Sequence, residues 1–395
     1  MILTNSNFQK AARLGGVTEY YFSRKLQEIG SRRKKGEDII NLGIGNPDLP
    51  PPPSVVEALN ADLTLPMSHG YQSYRGTTEL RDSLREWYKS TYSVTLDSQE
   101  ILPLAGSKEG IVHLALAYLQ TGTAILFPNP GYPAYAAASK LAQAKALPYP
   151  MPQTGDSVDA WISKLEDIVS DEDVKLLFVN TPHMPTGQVL SEDQLLALIA
   201  FAKTKNILLV SDNAYGYYHP DGPKSLLQLA GAKEQVVELN SLSKSHHMAG
   251  WRLGVLAGRA DVIDAALQVK SNLDSGQFRP VQRGASAALA TPYEWHKTQR
   301  KELLERRAMG EEILKTIGCM IPSGQHGLFV WAKAPPYVKK SEQYCDALLD
   351  ATGVFIPPGT VFGEAGEGFV RLSLCSPKPV LAEALKRCTS SSLAI

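Results

Sequence analysis

Between about Asp97 and about Arg283, short apolar, β-rich runs alternate with segments whose apolar residues recur at helical spacing. That alternation is the pattern of a mostly parallel sheet with crossover helices, because parallel neighbours cannot be joined by a tight turn. The clearest strands are Ala124 to Pro128, Leu176 to Asn180, Ile207 to Asp212, Val236 to Asn240 and Trp251 to Ala257. One crossover helix is marked at its start. Ser191-Glu192-Asp193-Gln194 has capping-box spacing, and Leu195, Leu198, Ile199 and Ala202 then recur at helical intervals.

The remainder of the chain has a different texture. From Thr291 onward come a long charged helical stretch, a strand at Phe329 to Lys333, a helix near Ser341 and a strand at Phe369 to Leu374. The expected organisation is therefore a large α/β domain over residues 46–285 and a smaller α+β domain over 286–395. Residues 1–45, helical by pattern from Val17 to Lys35, complete the smaller one. Pro50 to Pro53 cannot enter a helix interior or a central strand and mark a rigid connector. In all, 395 residues are more than one core usually fills.

Composition narrows the function. Lys+Arg 40 balance Asp+Glu 40, and no run of either sign is long enough for a nucleic-acid stripe. No apolar stretch reaches the length of a membrane span. Cys319, Cys345, Cys375 and Cys388 form no Cys-x-x-Cys pair and read as core thiols in a reducing compartment. A cytoplasmic protein acting on small molecules is expected, with no nucleic-acid or membrane partner.

In an open α/β sheet the ligand crevice lies beyond the carboxyl ends of the strands. There the chain places Asn180, Asp212 and the segment from Ser241 that holds Lys244. A lone lysine at a strand end is ordinarily a solvated loop residue. Here Ser241, Ser243 and Arg252 accompany it, a set able to hold an anion beside an amine. In Leu104 to Gly110, small residues open a helix, so the backbone of Gly106, Ser107 and Lys108 could cradle a phosphate; a plain cap is the commoner meaning of such residues. Other constellations fail. Gly43-Ile44-Gly45 lacks the third glycine of a dinucleotide fingerprint, and there is no Walker A loop, nucleophile elbow or His-Glu-x-x-His. The adjacent His246 and His247 are expected beside the site or at the surface.

Taken together, the motifs resemble the class I/II aminotransferases of pyridoxal-phosphate fold type I. The resemblance runs in order through INLGIGNPDLPPP from Ile40, HGYQSYRGTTELR from His69, NPGYPAY from Asn129, PTG at Pro185, SDNAY from Ser211, SLSKSHHMAGWRLG from Ser241 and GFVRLSL ending at Leu374. It implies an α/β fold whose large domain has a mostly parallel sheet sandwiched by helices, plus the smaller α+β domain. It also implies pyridoxal 5'-phosphate as cofactor. Lys244 then matches the Schiff-base lysine, Asp212 the carboxylate partner of the pyridine nitrogen, Tyr215 the phenol at the cofactor O3′, and Tyr132 the aromatic stacked on the ring. Ser241, Ser243, Arg252 and the turn at Gly106, Ser107 and Lys108 match the phosphate cup. Tyr71 matches a tyrosine supplied by the neighbouring subunit, so a homodimer with shared sites is implied. Arg371 matches the reader of the substrate α-carboxylate, beside Ile44 and Gly45.

Two departures stand out. Met184 occupies the position before Pro-Thr-Gly where the family most often has Asn, which leaves Tyr215 as the expected donor to O3′ unless Asn180 or His183 supplies a second. KSNLDSGQF from Lys270 lacks a second arginine for a distal carboxylate, leaving Arg75 and Arg279 as candidates, while Asp274-Ser275-Gly276 is similar to the diaminopimelate and alanine aminotransferase groups. The expected activity is transfer of an amino group from an L-amino acid to a 2-oxo acid, with 2-oxoglutarate as the expected acceptor. A lyase on the same scaffold would use the same lysine, and a non-catalytic cofactor-binding regulator would need a DNA-binding segment that the sequence lacks.

Overall fold

The structure, a computed structural model, describes residues 8–153 and 155–391. Its strands are β1 (Ile40–Asn41), β2 (Ile101–Leu104), β3 (Ala124–Pro128), β4 (Lys145–Tyr149), β5 (Val174–Val179), β6 (Leu208–Asp212), β7 (Val236–Ser241), β8 (Gly254–Gly258), β9 (Phe329–Lys333), β10 (Val354–Phe355) and β11 (Phe369–Ser373). Seven of them form one sheet in the order β2-β8-β7-β6-β5-β3-β4. The pairs from β7 to β4 are all parallel, whereas β8 runs antiparallel to both β7 and β2.

Successive residues of the central strands point to opposite faces, and both faces are apolar. Leu176 and Phe178 pack with Val210 and Leu239 under the helices Ser107–Tyr118, Ala134–Leu141 and Ala260–Leu273. Leu177 and Val179 pack with Leu209 and Val255 under Thr78–Tyr92, Val158–Val169, Glu192–Thr204 and Arg279–Leu289. Burial on both faces explains why these strands read as continuous apolar runs. Each such side chain contributes roughly 2 kcal/mol on leaving water. The capping box at Ser191 and Gln194 is present, each side chain bonded to the other residue's backbone N–H.

Three expectations need correction. β2 and β4 were not anticipated, because Pro103 and Pro148 interrupt them. Both are edge strands, where a missing N–H costs little. The strand expected from Trp251 begins only at Gly254, since Ala249–Trp251 forms a 3₁₀ turn and Arg252 takes a left-handed φ of 53°. His246 is 1 % exposed, which excludes a surface role.

A second core gathers both ends of the chain. β1 pairs in parallel with β10, and β9 pairs antiparallel with β11. Ile40 and Leu42 pack with Leu314, Val330, Leu348, Leu372 and Leu381, beneath the helices Tyr293–Thr316, Ser341–Thr352 and Lys378–Ser390. Cys319, Cys345 and Cys388 are buried thiols of this core, and Cys375 is partly buried. Among the described residues no helix is long and apolar enough to cross a membrane.

Candidate active site

Because β5, β6 and β7 are parallel neighbours, their carboxyl ends open along one edge of the sheet. β5 is followed by Asn180 and Met184, β6 ends on Asp212 with Tyr215 just beyond, and β7 runs into the short helix Leu242–Ser245 that carries Lys244. A cavity of about 280 Å³ lies over this edge, and all of these side chains line it. Ile44 and Gly45 after β1, Ser107 and Lys108 after β2, Tyr132, Ser241, Ser243, Arg252 and Arg371 also line it, whereas the predicted Gly106 is not among the lining residues.

At the floor, Lys244 Nζ donates to the carbonyl of Gly45, and the Lys244 carbonyl accepts from the Tyr218 hydroxyl at 2.8 Å. Burial pushes the Lys244 ammonium below the ordinary lysine range, and Arg371 and Arg252 add to the shift. Asp212 is 5 % exposed. Its Oδ2 accepts from the Tyr135 hydroxyl at 2.7 Å, while its Oδ1 is buried with no partner. Burial raises this carboxyl to about 6, against the opposing hydrogen bond from Tyr135.

The two ends of the cavity hold arginines in different settings. Arg252 donates from Nη1 to Ala249 O (3.0 Å) and from Nη2 to Ala105 O (3.1 Å). Its guanidinium fills the space where a side chain on Gly106 would lie, and Gly106 has a φ of 88°. Gly106 thus forms the turn, and Ser107 and Lys108 face the cavity. At the other end Arg371, 4 % exposed, lies within a cage of rings: Phe329 at 4.0 Å, Phe362 at 4.4 Å and Phe22 at 5.4 Å from its guanidinium carbon. Nη2 donates to Gly43 O, Nη1 reaches Met184 Sδ at 3.5 Å, and Nε is buried without a partner. Burial lowers this arginine to about 10.

Four cations, Lys108, Lys244, Arg252 and Arg371, line the cavity, and Asp212 is the one carboxylate among its lining residues. None of the four is in an ion pair with a described residue. Such a cavity calls for anionic groups at both ends.

Other predicted residues lie elsewhere. Tyr71 is 94 % exposed and does not line the cavity within its own chain. Arg75 is paired with Asp264 at 2.9 Å, and Arg279 holds Asp62 through two contacts of 3.0 Å, so neither reads a ligand in this cavity from its own chain. His183 is turned to Thr186 Oγ1 (2.8 Å) and is not among the lining residues. The Asn180 amide braces the loop, donating to Asp212 O and accepting from Met184 N, both at 2.6 Å.

Residues 37–387 match the family described as aminotransferase class I and II. The chain belongs to this family. Similar relatives are the LL-diaminopimelate aminotransferases of Desulforudis audaxviator, 37 % identical with 96 % of this chain and 97 % of the relative covered, and of Moorella thermoacetica, 38 % identical with the same coverage. The substrate-bound structure of BacF from Bacillus subtilis superposes with a TM-score of 0.88 at 32 % identity, covering 97 % of each chain. The aminotransferase is accordingly a pyridoxal-phosphate-dependent enzyme that moves amino groups between small-molecule amino and oxo acids.

The residues present fit that cofactor. The unpartnered Oδ1 of Asp212 is an acceptor awaiting a donor, and a buried acceptor left unpaired costs about 1–3 kcal/mol. The Gly106 turn with Arg252 and the serines offers a cup for a phosphate. Sequence reasoning on the aminotransferase missed Tyr20, Phe22, Tyr135, Tyr218, Phe329 and Phe362. Tyr135 alone had a signal, as the second tyrosine of NPGYPAY. The others reach the site from segments whose sequence records only apolarity.

Proposed function

We propose that the enzyme transfers the amino group of an L-amino acid bearing a second acidic group, such as glutamate or LL-diaminopimelate, with 2-oxoglutarate as the partner oxo acid. The observation that carries this reading is the cavity's excess of unpaired cations. When bound, pyridoxal phosphate supplies an electrophilic carbon for the substrate amine and an electron sink for charge at Cα. Asp212 Oδ1 would hold the proton on the pyridine nitrogen, and Tyr215 would donate to O3′ while Tyr132 covers the ring. Ser107, Ser241, Ser243 and Arg252 would hold the phosphate. Lys244 is the group that gives and takes the Cα proton. Burial lowers its basicity, which favours the neutral amine that a base must be.

Arg371 would bind the α-carboxylate, with Ile44 and Gly45 closing over it. Lys108, which stands over the Tyr20 ring at 5.0 Å, is the cation left for a distal carboxylate. Supporting a homodimer are the fully exposed Tyr71 and the exposed apolar side chains Met67, Leu116, Leu273 and Phe278. We read Tyr71 as acting in the partner's site, and the protein as cytoplasmic.

A panel of amino donors with 2-oxoglutarate, followed by glutamate formation, tests the reading (with glutamate itself assayed against another oxo acid). Arg371→Leu should lower kcat/KM for every donor about 100-fold, the loss of a charged hydrogen bond of about 3 kcal/mol. Lys108→Met should affect only donors with a distal carboxylate. Damage by Arg371→Leu confined to dicarboxylic donors would mean that the pocket is reversed, and pyruvate and ammonia formed without an oxo acid would mark a lyase.

A further inference from the structure

Behind the phosphate cup, away from the cavity, lies a buried cluster of charged groups that the proposed chemistry leaves unused. Glu109 sits in the first turn of the helix Ser107–Tyr118. Its Oε1 accepts from Lys270 Nζ at 2.7 Å and faces His113 Nε2 at 2.9 Å, and its Oε2 accepts from the backbone N–H of Ala105. Lys270, from the helix Ala260–Leu273, is 1 % exposed and His113 is 4 % exposed. Hydrogen bonds from His113 and Lys270 outweigh the cost of burial and hold the Glu109 carboxyl at about 2, so it is ionised at any working pH.

The same short turn is gripped from the other side. Arg252 Nη2 donates to Ala105 O, and Gln277 Nε2 donates to Leu104 O at 3.1 Å and to Arg252 O at 2.7 Å. Ala105 therefore has its N–H fixed by Glu109 and its carbonyl fixed by Arg252, and the next residue is the left-handed Gly106. A charged pair in a dry setting is costly to maintain. This one joins two helices at the point where the turn is set.

We propose that Glu109 and Lys270 are positioning residues for the cofactor's phosphate: they lock the Ala105–Gly106 turn so that its N–H groups and Arg252 converge on one anion. The inference rests on the reading of that turn as the phosphate cup. Neither side chain touches the ligand, and both act through the backbone of Ala105.

Titration of the apoprotein with pyridoxal phosphate and with pyridoxal, which lacks the phosphate, separates this role from a general loss of structure. Glu109→Ala should weaken pyridoxal phosphate at least 10-fold and pyridoxal less than 2-fold. Glu109→Gln, which keeps an acceptor for the Ala105 N–H, should restore affinity to within about 3-fold of wild type. Lys270→Met should fall between them, and Glu109→Ala combined with Lys270→Met should be no worse than Glu109→Ala alone. Equal losses for both ligands, or no loss in Glu109→Ala, would overturn the proposal. Arg252→Leu is the control on the underlying reading. If it too leaves the preference for the phosphorylated ligand intact, the cup itself is misplaced; if it abolishes the preference while Glu109→Ala does not, only the positioning role fails.

Discussion

Asp212 keeps one oxygen occupied by Tyr135 and the other without a partner, and burial raises its carboxyl to about 6. Its ordinary value in the unfolded chain is 3.8. A folded-state value raised in this way makes stability greatest below the unfolded value and lowers it as pH rises towards 6. In the apoprotein this one residue should therefore cost roughly 3 kcal/mol at pH 7 to 8 relative to pH 3. Asp212→Asn removes the titration. The difference in unfolding free energy between variant and wild-type apoproteins, measured in urea across this range, should grow with pH and level off above about 6. A difference independent of pH would show that the carboxylate is not paying a burial cost. The same substitution should weaken cofactor binding, since the negative charge proposed to hold a proton on the pyridine nitrogen is lost while a neutral acceptor remains.

At the scale of elements, the antiparallel β8 brings Gly254 against the Gly106–Ser107 turn that is proposed to hold the phosphate. A Cβ on Gly254 would lie 2.6 Å from Ser107 N and 2.8 Å from both Asn240 O and Gly106 C, all backbone atoms that cannot step aside. Gly254→Ala should destabilise the protein by about 1–3 kcal/mol, the usual range for overpacking, and should loosen pyridoxal phosphate more than pyridoxal. Thermal unfolding together with cofactor titration checks both parts; a variant with wild-type cofactor affinity would mean that strand and turn are not in this contact. The central strands could be anticipated because β5, β6 and β7 are buried on both faces and so are written as unbroken apolar runs. β2 and β4 could not, because an edge strand tolerates proline, and β4 is half-exposed besides. Asp212 was visible as the polar end of such a run, and Lys244 as a lysine among serines just beyond another. The ring cage around Arg371 was not, since Phe22, Phe329 and Phe362 come from three distant segments and a phenylalanine looks the same in sequence whether it packs on a leucine or on a guanidinium.

For the whole molecule, the exposed Tyr71 sets an expectation about assembly. If Tyr71 serves the partner's cavity, Tyr71→Phe and Lys244→Ala proteins should each be poor enzymes, and mixing them with subunit exchange should regenerate one intact site per heterodimer. Activity no greater than the sum of the two parents would place Tyr71 outside the partner's site. The parallel pairing of β1 with β10 bears on how the molecule is made. Asn41 leaves the ribosome early, yet its partner Phe355 is among the last tenth or so of the chain to appear. Domains tend to fold as their own residues emerge. The seven-stranded sheet, complete by Gly258, can form during synthesis, whereas Ile40 and Leu42 must wait with their apolar side chains uncovered. A nascent chain stalled before residue 354 would thus carry a finished sheet and an unfinished second core, a state in which chaperone capture of the amino-terminal segment should be strongest.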